Sequence, residues 1–133
     1  MGKLEIMIVD DSETTVELLG YIVEKLGHRV VKICKSGMEA VDTYKYLLSK
    51  GLPRPDLITM DISMPEMDGI SAARRILGLE PGAKIIMVSS HSQANMVTDA
   101  IKSGAKGYVL KPFGAEKIKD TINQVMGVNG TEA

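Results

Sequence analysis

Tryptophan is absent from this chain, phenylalanine and cysteine occur once each, and the formal charge nearly cancels. The lone cysteine, Cys34, cannot close an internal disulfide, so the fold is held by burial. Its place at the end of an apolar run predicts a buried, reduced thiol, which suits the cytoplasm. With 16 Lys and Arg against 17 Asp and Glu, the net charge of −1 argues against direct nucleic-acid binding and against an anionic membrane surface. No apolar segment approaches the ~20 residues of a membrane span. The first such run, Ile6 to Val9, is too short for a signal-peptide core and ends in Asp10-Asp11. Met1-Gly2 lacks the Ser or Thr a myristoylation motif wants, because Ile6 stands there. The sequon Asn129-Gly-Thr131 has no meaning outside the secretory path, and nothing matches a P-loop. Scarce aromatics and nine methionines imply an aliphatic, adaptable core, with Met spaced for packing rather than for a cofactor.

What the 133 residues do contain is one βα pattern repeated five times, enough for a single domain with its own core. Short apolar runs at Glu5–Val9, Arg29–Ile33, Leu57–Met60, Lys84–Val88 and Gly107–Leu110 each precede a helical segment. The first helix, about Ser12 to Leu26, stripes Val16, Leu19, Val23 and Leu26, and Gly27 supplies a left-handed stop. A second, Gly37 to Ser49 behind Ser36 as cap, is expected to bury Met38, Val41, Tyr44 and Leu48 before Pro53 and Pro55 end it. The third runs from Ile70 to Leu79 behind Asp68 and Gly69, and the fourth from about Gln93 to Ser103, closed by Gly104. The fifth, about Ala115 to Met126, stripes Ile118, Ile122 and Val125. Residues 127–133 read as a polar, frayed tail after a domain spanning 1–126. Alternating strands and helices imply a parallel sheet covered on both faces.

Asp61 is the residue this pattern makes conspicuous. The run Leu57-Ile-Thr-Met60 stops at its carboxylate, and Pro65 and Gly69 follow closely. In open α/β sheets chemistry gathers at the carboxyl ends of strands. Capping is the bland alternative, but Asp68 is better placed to cap the next helix. If the strands are ordered 2-1-3-4-5, Asp10, Asp11 and Asp61 converge at the centre of the sheet edge. Three carboxylates repel one another unless a cation neutralises them. Oxygen ligands without His or Cys point to Mg²⁺, which keeps waters that a phosphate oxygen can replace. Ser89 ends the fourth strand and Lys111 the fifth, so a hydroxyl and an ammonium join that edge. Either alone is an ordinary turn or surface residue. Together with the carboxylates they are the set an aspartyl phosphate needs.

With these residues in place, the sequence resembles the receiver domain of two-component response regulators from Lys3 to about Met126. The matching residues are Asp10-Asp11, Asp61 with Met64-Pro65 and Asp68-Gly69, Ser89, and Gly107-Tyr108-Val-Leu-Lys111-Pro112-Phe113. The resemblance implies a flavodoxin-like, doubly wound (βα)5 α/β fold, and the strand order 2-1-3-4-5 is taken over from the family. It implies that Asp61 is the phosphoacceptor. Asp10 and Asp11, with the Ser63 backbone carbonyl, would hold Mg²⁺ at Asp61. Lys111 would pair with the phosphoryl oxygens, and Ser89 and Tyr108 would form the switch pair. Ser89 stands where many relatives have Thr, keeping the hydroxyl. The Lys111-Pro112 bond resembles one usually cis in the family, which would aim the ammonium inward.

Within the family the chain looks most like single-domain regulators of the chemotaxis type. Its implied partners are a sensor histidine kinase or phosphotransfer protein and a separate downstream protein. The expected protein is a cytoplasmic monomer that catalyses only its own phosphorylation and dephosphorylation. The output face would be the fourth helix, fifth strand and fifth helix, with Tyr108 half-exposed beside them. Ser63 and His91, two positions beyond Asp61 and Ser89, would flank the path of an attacking water. A phosphorelay intermediate, or a receiver cut from a longer regulator, would look the same. A haloacid-dehalogenase-like phosphatase also uses a strand-end Asp, but Asp10-Asp11-Ser12 lacks its Asp-x-Asp. A flavodoxin-like FMN carrier shares the topology, yet Asp-Asp-Ser-Glu would repel its phosphate.

Overall fold

The computed structural model describes residues 2–127. The elements alternate without exception: β1 (Glu5–Val9), α1 (Glu13–Lys25), β2 (Arg29–Cys34), α2 (Gly37–Ser49), β3 (Leu57–Met60), α3 (Gly69–Leu79), β4 (Ile85–Ser89), α4 (Ala94–Lys102), β5 (Gly107–Leu110) and α5 (Ala115–Val125). All strand pairs are parallel, and the order β2-β1-β3-β4-β5 matches the expected doubly wound α/β architecture. Among the described residues no helix is long and apolar enough to cross a membrane.

Successive side chains of a strand point to opposite faces, so the central strands feed two cores. Met7 and Val9 of β1 join Ile58 and Met60 of β3, Ile85 and Met87 of β4 and Cys34 under α2, α3 and α4. Ile6 and Ile8 join Leu57, Ile86, Val88 and Val109 under α1 and α5. β3 and β4 are buried along their whole length, as strands covered on both faces must be. The edge strand β2 differs. Its register shifts opposite Ile6 and Met7, which leaves Val31 as the bulged residue, and Val31 and Ile33 remain partly open to solvent.

Three helix starts follow from their caps. Ser12, Ser36 and Asp68 accept backbone N–H bonds from Thr15, Glu39 and Ser71, satisfying amides that the first turn leaves unpaired. Gly27, at φ +95°, ends α1 in the left-handed region, as its position predicts. Of the expected α1 stripe, Val16, Leu19 and Val23 are buried and Ile22 joins them, whereas Leu26 falls at the C-cap and is only partly buried; Ile118 and Ile122 anchor α5. One expectation fails on α2. Met38 is 41% exposed, and Ala40 is buried in its place. The buried face runs through Gly37, Ala40, Val41 and Tyr44. At 3.6 residues per turn Met38 lies about 100° from Gly37, off that face. The frayed tail expected at 127–133 lies, beyond Gly127, outside the described residues.

Candidate functional site

β1 and β3 lie side by side with Val9 opposite Met60, so the residue after each strand emerges at the same edge. The Asp61 N–H donates to Val9 O at 2.9 Å and the Asp10 N–H to Cys34 O at 3.0 Å, which fixes both backbones where the strands end. Asp10 and Asp61 are buried, at 2% and 6% exposure, whereas Asp11 is exposed. One carboxylate oxygen from each of the three lies within 4.8 Å of the others.

Lys111 reaches this cluster from β5. Its N–H donates to Ser89 O at 2.8 Å, and its peptide bond to Pro112 is cis. Its Nζ donates to Asp10 Oδ2 at 3.0 Å and stands 3.5 Å from Asp61 Oδ1. The other Asp10 oxygen accepts the Ser12 N–H at 2.9 Å. Burial pushes the Asp61 carboxyl above its usual range, the neighbouring Asp10 carboxylate pushes it the same way, Lys111 opposes both, and Asp11 adds a smaller upward push. Three carboxylates facing one ammonium leave two uncompensated negative charges in a mostly buried crevice. An all-oxygen donor set with that residual charge fits a hard divalent cation such as Mg²⁺.

Gly69 sets the distance between this crevice and α3. A Cβ at that position would fall 2.0 Å from the Asp61 carbonyl oxygen, so only glycine lets the helix start this close to the strand end. The Gly69 N–H also donates to Ile62 O at 2.8 Å, tying the loop to the helix. Within that loop Glu66 sits at φ +69°, and Met67 N–H closes on Pro65 O at 2.7 Å, a three-residue turn that an L-residue adopts only under strain.

Ser89 and Tyr108 lie on neighbouring strands. Ser89 is fully buried, and its Oγ accepts the His91 N–H at 3.2 Å. Tyr108 is partly buried against the core under α2, α3 and α4 rather than standing clear of it, and its hydroxyl donates to His91 O at 2.7 Å. Ser63 Oγ and His91 Nε2 are 2.5 Å apart, joining the loop after β3 to the loop after β4.

The structure thus brings Asp10, Asp11, Asp61 and Lys111 into one cluster and sets Ser89, Tyr108, Ser63 and His91 beside it in one chain of hydrogen bonds. Two features were missed from sequence. The close approach at Gly69 had a faint signal, a Gly directly behind a capping Asp. The threefold engagement of His91 had none, because two of its three bonds use backbone atoms.

The response regulator receiver domain profile matches residues 6–123. The chemotaxis protein CheY of Thermotoga maritima is 42% identical over 125 residues, covering 94% of this chain and 98% of that protein. CheY of Bacillus subtilis is also 42% identical, over 121 residues, covering 91% and 96%. Among solved structures, a chain of the CheX–CheY–BeF3–Mg²⁺ complex from Borrelia burgdorferi superposes with a TM-score of 0.84 at 32% identity, covering 92% of this chain and 89% of that one. The fold, the crowded carboxylates at its central strand ends and these likenesses lead to one conclusion: the chain belongs to the response regulator receiver family, the phosphorylatable switch domains of two-component signalling.

Proposed function

We propose that Asp61 accepts a phosphoryl group from a phosphohistidine or a small acyl phosphate, and that this chain is a single-domain chemotaxis regulator. The observation that carries the reading is a buried carboxylate 3.5 Å from the Lys111 ammonium, with Asp10 and Asp11 beside it. In the transfer an Asp61 oxygen attacks phosphorus, and the P–N or P–O bond of the donor breaks. The electron pair leaves with the imidazole or carboxylate of the donor. Asp10, Asp11 and Asp61, with the Ser63 backbone carbonyl, would hold Mg²⁺, whose charge offsets that building on the phosphoryl oxygens.

Lys111 then exchanges part of its contact with Asp10 for a phosphoryl oxygen, and the Ser89 hydroxyl donates to another. Moving Ser89 releases the His91 N–H it accepts, which passes the change toward Tyr108. Ser63 and His91 border the approach of the water that later hydrolyses the acyl phosphate. Receiver domains of this type act as switches rather than on a separate substrate, so the chain catalyses only its own phosphorylation and dephosphorylation.

The output face is α4, β5 and α5. A cleft of about 440 Å³ lies there between Val97, Tyr108, Leu110, Pro112, Phe113 and Lys117, apolar enough to receive a side chain of a downstream protein. A histidine kinase or phosphotransfer protein supplies the phosphoryl group in the cytoplasm, and the regulator acts as a monomer. The CheY relatives support the chemotaxis assignment, and the Borrelia burgdorferi neighbour was solved with a protein partner, BeF3 and Mg²⁺.

Intact-mass measurement after incubation with acetyl phosphate tests the central step. Mass should increase by one phosphoryl group in wild type with Mg²⁺, and neither in Asp61→Asn nor with chelator. Equal phosphorylation of Asp61→Asn would remove Asp61 from the role.

A further inference from the structure

His91 spends three polar groups on three different parts of the molecule. Its N–H donates to Ser89 Oγ at the end of β4. Its carbonyl accepts the Tyr108 hydroxyl from β5, and its Nε2 meets Ser63 Oγ in the loop after β3. The last bond closes in either neutral tautomer, with the hydroxyl donating to Nε2 or Nε2–H donating to the hydroxyl.

The surroundings make this junction unusual. Among the described residues, no other residue in the loop between Ser89 and Gln93 makes a hydrogen bond across to another element. The helix that follows offers little anchorage: the N-cap residue of α4, Gln93, makes no side-chain capping bond, and the helix fully buries only Ala100. A segment held so lightly samples other arrangements unless something fixes it. The peptide that presents its carbonyl to Tyr108 is therefore oriented by the imidazole's grip on Ser63.

We infer that the Ser63–His91 side-chain bridge is a positioning device that holds the His91 carbonyl where the Tyr108 hydroxyl can reach it, so that Tyr108 is drawn inward before Asp61 carries a phosphoryl group. The bridge works on an equilibrium between inward and outward Tyr108, and phosphorylation adds to a bias already present. Ser63 adjoins the Asp61 loop, so the bridge also places the two loops on either side of the crevice in one linked unit. This deepens the reading of Tyr108 as the switch residue and rests on it.

The test is ¹⁹F NMR of the full chain labelled with 3-fluorotyrosine, in which Tyr108 is one of four tyrosines and is assigned by its loss in Tyr108→Phe. Spectra are taken without phosphodonor for wild type, Ser63→Ala, His91→Ala and His91→Gln. Both alanine variants should move the Tyr108 signal toward its solvent-exposed position by a similar amount. That shift corresponds to roughly a fivefold rise in the outward-to-inward ratio, the weight of one hydrogen bond. His91→Gln, whose amide can still meet Ser63, should restore much of the wild-type position. A purely structural role for His91 would not be mimicked by Ser63→Ala nor rescued by Gln. An unmoved Tyr108 signal in Ser63→Ala overturns the proposal, whatever His91→Ala does, and so does a failure of Gln to rescue. Intact mass after acetyl phosphate and Mg²⁺, run on the same samples, reports separately on Asp61, so loss of phosphorylation in wild type would count against the proposed function and not against the bridge.

Discussion

α3 and α4 cover the same face of the sheet and flank the same crevice, yet they are held very differently. α3 is capped by Asp68, buries Gly69, Ile70, Ala72, Ala73 and Ile76, and presses its first residue onto the Asp61 carbonyl. α4 has no side-chain cap and buries Ala100 alone. A helix fixed by burial and a cap opens only with much of the domain, whereas one with a single fully buried residue, Ala100, and a partly buried Met96 opens locally. The crevice therefore has a rigid wall on the α3 side and a responsive wall on the α4 side. A change at Asp61 of the kind proposed would find the structure yielding more cheaply on the α4 side.

The largest way to break this contrast is Gly69→Ala. The added Cβ must displace the Asp61 carbonyl, and urea unfolding should show a loss of about 3 kcal/mol or more. A loss below about 1 kcal/mol would mean that the α3 wall is not close-packed.

Asp61→Asn should come next, with the opposite sign. Burial and Asp10 raise the folded-state carboxyl above its unfolded value, so the native state holds its proton more tightly. Keeping Asp61 ionised therefore costs stability as pH rises through that window above about 3.8. The variant should be more stable than wild type at neutral pH, and the two should converge in acid. Addition of Mg²⁺ should raise the wild-type Tm by mass action and leave the variant much less affected.

Exchanging caps sharpens the comparison. Asp68→Ala should cost about 1 kcal/mol in α3, while Gln93→Ser should gain a few tenths to about 1 kcal/mol by giving α4 the cap it lacks. The Ser variant should also slow amide exchange at the start of α4. Unchanged exchange there would show that α4 is limited by something other than its cap.

His28 offers the smallest effect and a control. Its Nδ1 accepts the Leu4 N–H at 3.1 Å, and burial, then the chain's amino terminus, lowers its basicity. With the folded pKa depressed below 6.5, the contribution is complete above that value and is lost as pH falls through the window beneath it. His28→Ala should flatten this shallow acid slope in the melting temperature, and exchange in α3 and α4 should not change.

Much of this architecture was legible in the residues because periodicity and caps are local. Ser12, Ser36 and Asp68 announced their helices, and Val16, Leu19 and Val23 announced the buried stripe of α1. The strand order was not read from spacing but taken over from the family, since pairing between β1 and β3 is set by contacts across some fifty residues of chain. Met38 misled because an apolar side chain at a plausible spacing fits two neighbouring helix faces, and only packing decides between them. At the site, charge identified Asp10, Asp11, Asp61 and Lys111 because crowded carboxylates are costly anywhere. The Gly69 approach and the His91 junction depend on backbone atoms, which the order of side chains does not encode.

The most direct measurement is hydrogen exchange by mass spectrometry on the chain with and without beryllofluoride and Mg²⁺, with binding verified by its absence in Asp61→Asn. Protection should change across 89–113, including α4, and remain constant across 69–79 in α3. Changes in α3 as large as those in α4 would contradict the division into a fixed wall and a responsive one.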